Sequence, residues 1–213
     1  MDEIKTFLRS RSIVNLTIVV INIVVFFILD FLGNTEDAVF MANHGACYAP
    51  WVVEGGEYYR LFTSMFLHFG IQHLFNNMLC LIFLGDILEK LVGKARYLLI
   101  FFGGGLGSGA VSLIYELWSG KIAVSAGASG AIFAVIGALV FLAIVHRGSI
   151  PSVSRSRFYF MAALSVFQGF TSQGVDNAAH VGGFVLGFLL AAIFIGKRAV
   201  KQVPDLFEED SRS

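Results

Sequence analysis

Six stretches of this 213-residue chain contain no Asp, Glu, Lys or Arg, and all are 17 residues or longer. They run 13–29, 61–85, 97–115, 122–145, 158–175 and 177–196. A helix of roughly 17–25 mostly apolar residues crosses the hydrocarbon core of a bilayer. A soluble protein could bury one or two such helices, but not six. The chain is 56% hydrophobic and 14% charged, whereas soluble domains average about 45–50% and 25%. Too little polar surface is left to cover six apolar helices from water. The expected fold is an all-α polytopic membrane protein with six transmembrane helices in a compact bundle. One membrane domain at 13–196 lies between a cytoplasmic segment at 1–12 and a flexible cytoplasmic tail at 197–213. The first stretch reads as a retained span rather than a signal peptide, because it exceeds a usual signal core and no small-residue cleavage pattern follows Asp30.

Composition also narrows the partners. Fifteen Lys and Arg balance fifteen Asp and Glu, so there is no basic surplus to attract nucleic acid. The partners expected are the lipid bilayer and other membrane proteins. Cys47 and Cys80 are too few for a disulfide framework or a four-ligand zinc site.

Positive charge sets the orientation, because Lys and Arg accumulate on the cytoplasmic side. The N-terminal segment, the segments after the second and fourth stretches, and the C-terminal tail together hold thirteen of the fifteen. The other side holds only Arg60 and Lys121. Both termini are therefore expected in the cytoplasm, with stretches two, four and six running from outside to inside. The loop at 30–60 is the longest on the outer side and carries Trp51, Tyr58 and Tyr59, which suit an interfacial aromatic belt.

Polar groups inside a span are costly and so point to function by default. Stretch two contains His68, His73, Asn76 and Asn77. Stretch four contains Gly127-Ala-Ser129-Gly130, and stretch six opens Asn177-Ala-Ala-His180-Val-Gly-Gly183. With the orientation above, His73, Asn77, Ser129 and His180 lie at similar depth in the outer leaflet. His73 and Asn77, four residues apart, share one helical face. A Ser hydroxyl becomes a nucleophile when a neighbouring base takes its proton. A neutral His can do this and then protonate a leaving amine. Amide hydrolysis also needs preorganised donors around an oxyanion. His73, Asn77 and the Ser129 backbone N–H can supply them. Gly127 and Gly130 allow a tight turn there. No carboxylate lies inside stretch four or six, and Asp176 stands at the boundary. The arrangement is a Ser129–His180 dyad rather than a triad. Gly183 and Gly187 are four apart, a spacing that lets helices approach closely, and would bring stretch six against stretch four. The glycines of stretch three read as generic packing. No metal is expected, because His68, His73 and His180 lack a carboxylate or thiolate at ligand spacing.

These segments resemble the rhomboid family of intramembrane serine proteases. The likeness is carried by Glu57-Tyr-Tyr59-Arg60 through His68, by His73-Leu-Phe-Asn76-Asn77, by Gly127-Ala-Ser129-Gly130, and by Ala179-His180-Val-Gly-Gly183 with Gly187. It implies a nucleophile at Ser129, a base at His180, and an oxyanion site of His73, Asn77 and the Ser129 N–H. It implies cleavage of other membrane proteins in or near a transmembrane segment, without a cofactor, and the six-span layout resembles the simple bacterial form of the inner membrane. Two positions depart from the usual pattern. Tyr59 stands where many members have Trp. Phe133 stands where many have Tyr, so a ring can still stack under His180 but the phenol is gone.

Hydrolysis at this depth requires a cavity open to the outside, expected above Ser129 and lined by His68, His73, Asn77, Ser125, Gln173 and His180. Lateral access is expected past stretch five, where Gly169, Ser172 and Gly174 loosen the packing. The competing readings are a catalytically silent relative that binds membrane clients, and a small transporter. Retention of Ser129 and His180 argues against the first. The absence of internal repeats argues against the second.

Overall fold

The computed structural model describes residues 12–145, 163 and 175–196. Apart from residues 163 and 175, the fifth apolar stretch lies outside the described residues, as do the basic segments at 1–11 and 147–157 and the C-terminal tail.

Helix α1 (Ile13–Leu32) is apolar nearly throughout. Its two central polar side chains bond back to the preceding turn, Thr17 Oγ1 to the Ile13 carbonyl at 2.7 Å and Asn22 Nδ2 to the Ile18 carbonyl at 2.8 Å. These back-bonds satisfy the Thr17 hydroxyl and the Asn22 amide N–H within α1. Ile18, Val19, Phe26 and Leu29 are buried, while Val20, Ile21, Val24, Phe27 and Ile28 are exposed. An apolar exposed face of this kind belongs against lipid rather than water.

A loop module follows. It contains α2 (Ala38–Asn43), capped by Asp37, then β1 (Cys47–Tyr48) and α3 (Ala49–Val53), which has Pro50 in its first turn. Next come α4 (Arg60–Thr63) and a 3-10 turn over Ser64–Phe66. Arg60 is the hub of the module and is buried. Its Nη1 donates to the carbonyls of Ala42 at 2.6 Å and Ala46 at 2.9 Å, and its Nε donates to Glu57 at 2.5 Å. The guanidinium lies 4.6 Å from the Trp51 ring centre, within cation–π range. Arg60 holds the Glu57 carboxyl below the ordinary carboxylate range, through the hydrogen bond first.

Helix α5 (Gly70–Val92) contains a π turn at Leu81–Gly85. It starts nine residues later than the charge-free stretch suggested and runs seven residues further. At its start, Gly70 adopts a φ of +74°, which an ordinary residue would resist. At its end, the charges are absorbed by the protein. Asp86 Oδ1 accepts the Ser12 N–H at 2.7 Å, and Glu89 accepts the N–H groups of Val14 and Asn15 at 3.3 and 2.7 Å. These are N–H groups that the first turn of α1 leaves without intrahelical acceptors. Lys90 pairs with Asp86 at 2.8 Å. The π turn alters the backbone ladder, and Asn15 Nδ2 donates to the Leu81 carbonyl there at 2.8 Å.

Helix α6 (Lys94–Ser119) leads to β2 (Val124–Ser125), α7 (Ser129–Val145) and, beyond the fifth stretch, α8 (Asn177–Phe194). Helices α1, α5, α6 and α8 are long and apolar enough to cross a membrane, whereas α7 has 17 residues. The fourth stretch is thus helical only from Ser129. Its first part instead pairs antiparallel with β1, Cys47 opposite Ser125 and Tyr48 opposite Val124. Helix α7 is the centre of the bundle, buried from Gly130 through Leu139. Its closest neighbour is α8. A Cβ on Gly183 would strike the Gly130 carbonyl, and one on Gly187 would strike Ala134. The two backbones touch along this line, where dispersion replaces the hydrophobic effect as the source of association.

Candidate active site

The site is built where α5, α7 and α8 begin. His73 and Asn77 lie on one face of α5's first turns, and Asn77 is buried. The turn before α7 passes directly over them. Gly127 has a φ of +136°, and a Cβ there would lie 2.7 Å from His73 Cε1 and 3.7 Å from Asn77 Nδ2. Only glycine fits so close an approach with that backbone. The Gly127 N–H donates to the Ser64 carbonyl at 2.9 Å, which anchors the turn to the loop module. Ser129 is the first residue of α7, so its N–H lacks an intrahelical acceptor and points out of the helix end.

His180 closes the first turn of α8, and its ring is buried against Phe133. The two rings stack 4.1 Å apart at 10°. Phe133 is one turn after Ser129 on α7, so the imidazole stacks about one helical turn along α7 from the serine. The Ser129 hydroxyl and the His180 ring share no hydrogen bond among the described residues. His68 is fully buried, its ring 5.1 Å from that of His73 in an edge-on arrangement.

Four polar atoms in this region have no well-aligned partner among the described residues: both ring nitrogens of His68, Asn77 Nδ2 and His180 Nδ1. Buried polar groups are nearly always paired. Of the other expected lining residues, Ser125 is in β2 and engages the Cys47 thiol. Gln173, Gly169, Ser172 and Gly174 lie outside the described residues.

Burial pushes the Cys47 thiol up to about 11, with Glu116 adding to the effect. It stays protonated at neutral pH and is a poor nucleophile. No group of three His, Cys, Asp or Glu able to hold a metal ion occurs among the described residues.

Sequence reasoning gave little weight to Asp176 and none to Ser112. Asp176 caps α8, its Oδ1 accepting the Ala179 N–H at 2.9 Å, and its Oδ2 accepts the Ser112 hydroxyl. An Asp four residues before the site histidine is a legible cap signal. Ser112, among the apolar residues of α6, gives no such signal.

The family model of the Rhomboid domain matches residues 55–197. The chain belongs to the rhomboid family. It is a multi-pass membrane protein, as its apolar helices require. This rhomboid chain is 30% identical over 190 residues to "Rhomboid protease GluP" of Bacillus subtilis (strain 168), covering 89% of the chain and 36% of that protein. It is 34% identical over 157 residues to "RHOMBOID-like protein 1" of Arabidopsis thaliana, covering 71% of the chain and 38% of the relative. It is 36% identical over 167 residues to "RHOMBOID-like protein 6, mitochondrial" of the same plant, covering 78% and 52%. The rhomboid chain therefore spans between a third and about half of the length of these relatives.

Proposed function

We propose that this rhomboid is an intramembrane serine endopeptidase that hydrolyses peptide bonds in or near the transmembrane segments of other membrane proteins. Ser129 Oγ attacks the scissile carbonyl while His180 takes its proton. The carbonyl oxygen becomes an oxyanion that accepts hydrogen bonds from His73, Asn77 and the Ser129 N–H. Collapse expels the amine, which receives the proton from His180. Water, deprotonated by His180, then attacks the acyl-serine and releases the acid and the free hydroxyl. No cofactor takes part. We place the protein in a bacterial inner membrane, with six spans, both termini in the cytoplasm and the site toward the outer leaflet.

The observation that carries this reading is the stack of Phe133 on His180, one helical turn from Ser129, at the α7–α8 backbone contact. It puts a base beside a helix end that also presents an unpaired N–H. The unpaired Asn77 Nδ2 supports the oxyanion assignment. The test is cleavage of a generic type-I membrane protein in detergent by wild type, Ser129→Ala and His180→Ala. Both variants are expected to lose cleavage while melting at the wild-type temperature. Cleavage that survives Ser129→Ala would remove the serine mechanism. Wild type that neither cleaves nor reacts with a fluorophosphonate would make the chain a silent, client-binding relative.

A further inference from the structure

His180 stands in the first turn of α8, which is the part of a helix most prone to fray. The first four N–H groups there have no partner in the helix, and helix ends loosen before helix centres. A base that must meet a hydroxyl to within a fraction of an ångström needs that turn fixed. Gly183 and Gly187 fix the body of α8 against α7, but both lie beyond His180.

Asp176 holds the turn itself. One carboxylate oxygen accepts the Ala179 N–H at 2.9 Å, and the Asp176 carbonyl accepts the His180 N–H at 3.1 Å. The second carboxylate oxygen accepts the hydroxyl of Ser112 on α6. Ser112 and Asp176 are 64 residues apart in sequence, so the bond is a tertiary strap. Ser112 is 4% exposed, so its hydroxyl has little water to turn to in place of the Asp176 carboxyl. The contact continues next to it, where Gly182 packs on Val111. One side chain therefore closes the start of α8 and ties it to α6.

We infer that Asp176, strapped by Ser112, is a positioning residue that fixes the imidazole of His180 relative to Ser129. Its carboxylate bonds to the Ala179 N–H and the Ser112 hydroxyl and makes no hydrogen bond to the His180 ring among the described residues, so the site remains a dyad. The inference rests on the Ser129–His180 reading given above.

The test uses the full chain in detergent and a fluorophosphonate dye that reacts with an activated serine. Rates at several dye concentrations separate the maximal rate of modification, kinact, from the half-saturating concentration, KI. Asp176→Ala is expected to lower kinact by about tenfold or more, since small misplacements of reacting groups cost rates of this size. KI should stay within about twofold, because the binding surface is untouched. Asp176→Asn should recover kinact to within about threefold of wild type, since Asn caps helices as well as Asp. Ser112→Ala, which cuts only the strap, should fall between the two. Wild-type kinact in Asp176→Ala, or equal losses in the Ala and Asn variants, would overturn the inference. So would a loss that merely follows the folded fraction. If Asp176→Ala does not fold, Ser112→Ala decides, and wild-type kinact in that variant would overturn it. Wild type that takes no label would overturn the dyad reading and this inference with it, whereas a labelled wild type with unaffected variants removes this inference alone.

Discussion

Helix α5 carries a polar cluster at each end, and the two clusters are paired very differently. At the end with Asp86 and Glu89, the buried side chains of Asn15 and Tyr97 and the first N–H groups of α1 find partners. Tyr97 donates to Asn15 Oδ1 at 2.7 Å, Asn15 donates to Leu81, and Glu89 accepts from Val14 and Asn15. At the end with His68, His73 and Asn77, buried ring and amide atoms go unpaired among the described residues. Polar side chains gathered at the two ends of one helix thus meet different surroundings. Where donors and acceptors are matched, a polar group in an apolar bundle stabilises one arrangement of helices. Where they are left unmatched, burial costs free energy until a ligand or a water supplies the partner.

This contrast can be broken from either end. The largest effect is expected from Glu89→Ala. It leaves one buried and one part-buried N–H group without acceptors and should destabilise the bundle by about 2–4 kcal/mol. It should be read as a fall in the detergent melting temperature, with unchanged dye reactivity per folded molecule. Asn77→Ala should do the reverse. Cleavage should fall about a hundredfold or more, as for the loss of one oxyanion donor, with the melt nearly unmoved. A melt that fell as far as that of Glu89→Ala would show both clusters to be structural. Tyr97→Phe removes one hydroxyl from the matched cluster and should cost about 1–2 kcal/mol in stability, with cleavage unaltered.

The smallest effect is expected in the loop module. Arg60 holds the Glu57 carboxyl below its ordinary value of 4.5. A depressed carboxylate stabilises the folded state fully above its unfolded value and loses that contribution as pH falls through the folded one. Wild type should therefore loosen below pH 4.5 more than Glu57→Gln does. Protease nicking between Glu54 and Tyr59 would report it, and identical acid profiles would show that the pair is inert.

Much of this was readable from the sequence. The four polar positions on three apolar stretches indicated where to look, and the structure places Gly127 over His73 and Asn77, and Phe133 on His180. Helix limits were misread at Gly70–Val92 because counting charge-free residues assumes that every charge faces lipid. Asp86, Glu89 and Lys90 instead face protein partners. The strand at Val124–Ser125 is too short for any period to register, and it forms only because β1 lies beside it. The Ser112–Asp176 strap joins residues on separate helices, and one sequence holds no trace of such a pairing.

The length of α7 has a further consequence. At about 1.5 Å per residue, 17 residues cover roughly 25 Å, while the hydrocarbon layer is about 30 Å thick. The described part of the helix is thus several ångströms shorter than that layer. Before Ser129 come β2 and the Gly127 turn, backbone that lipid does not tolerate unless protein covers it or water reaches it. If Ser129 is the nucleophile proposed above, its depth is set by where α7 begins, and a client segment would be sampled by depth before any of its side chains is sampled by shape.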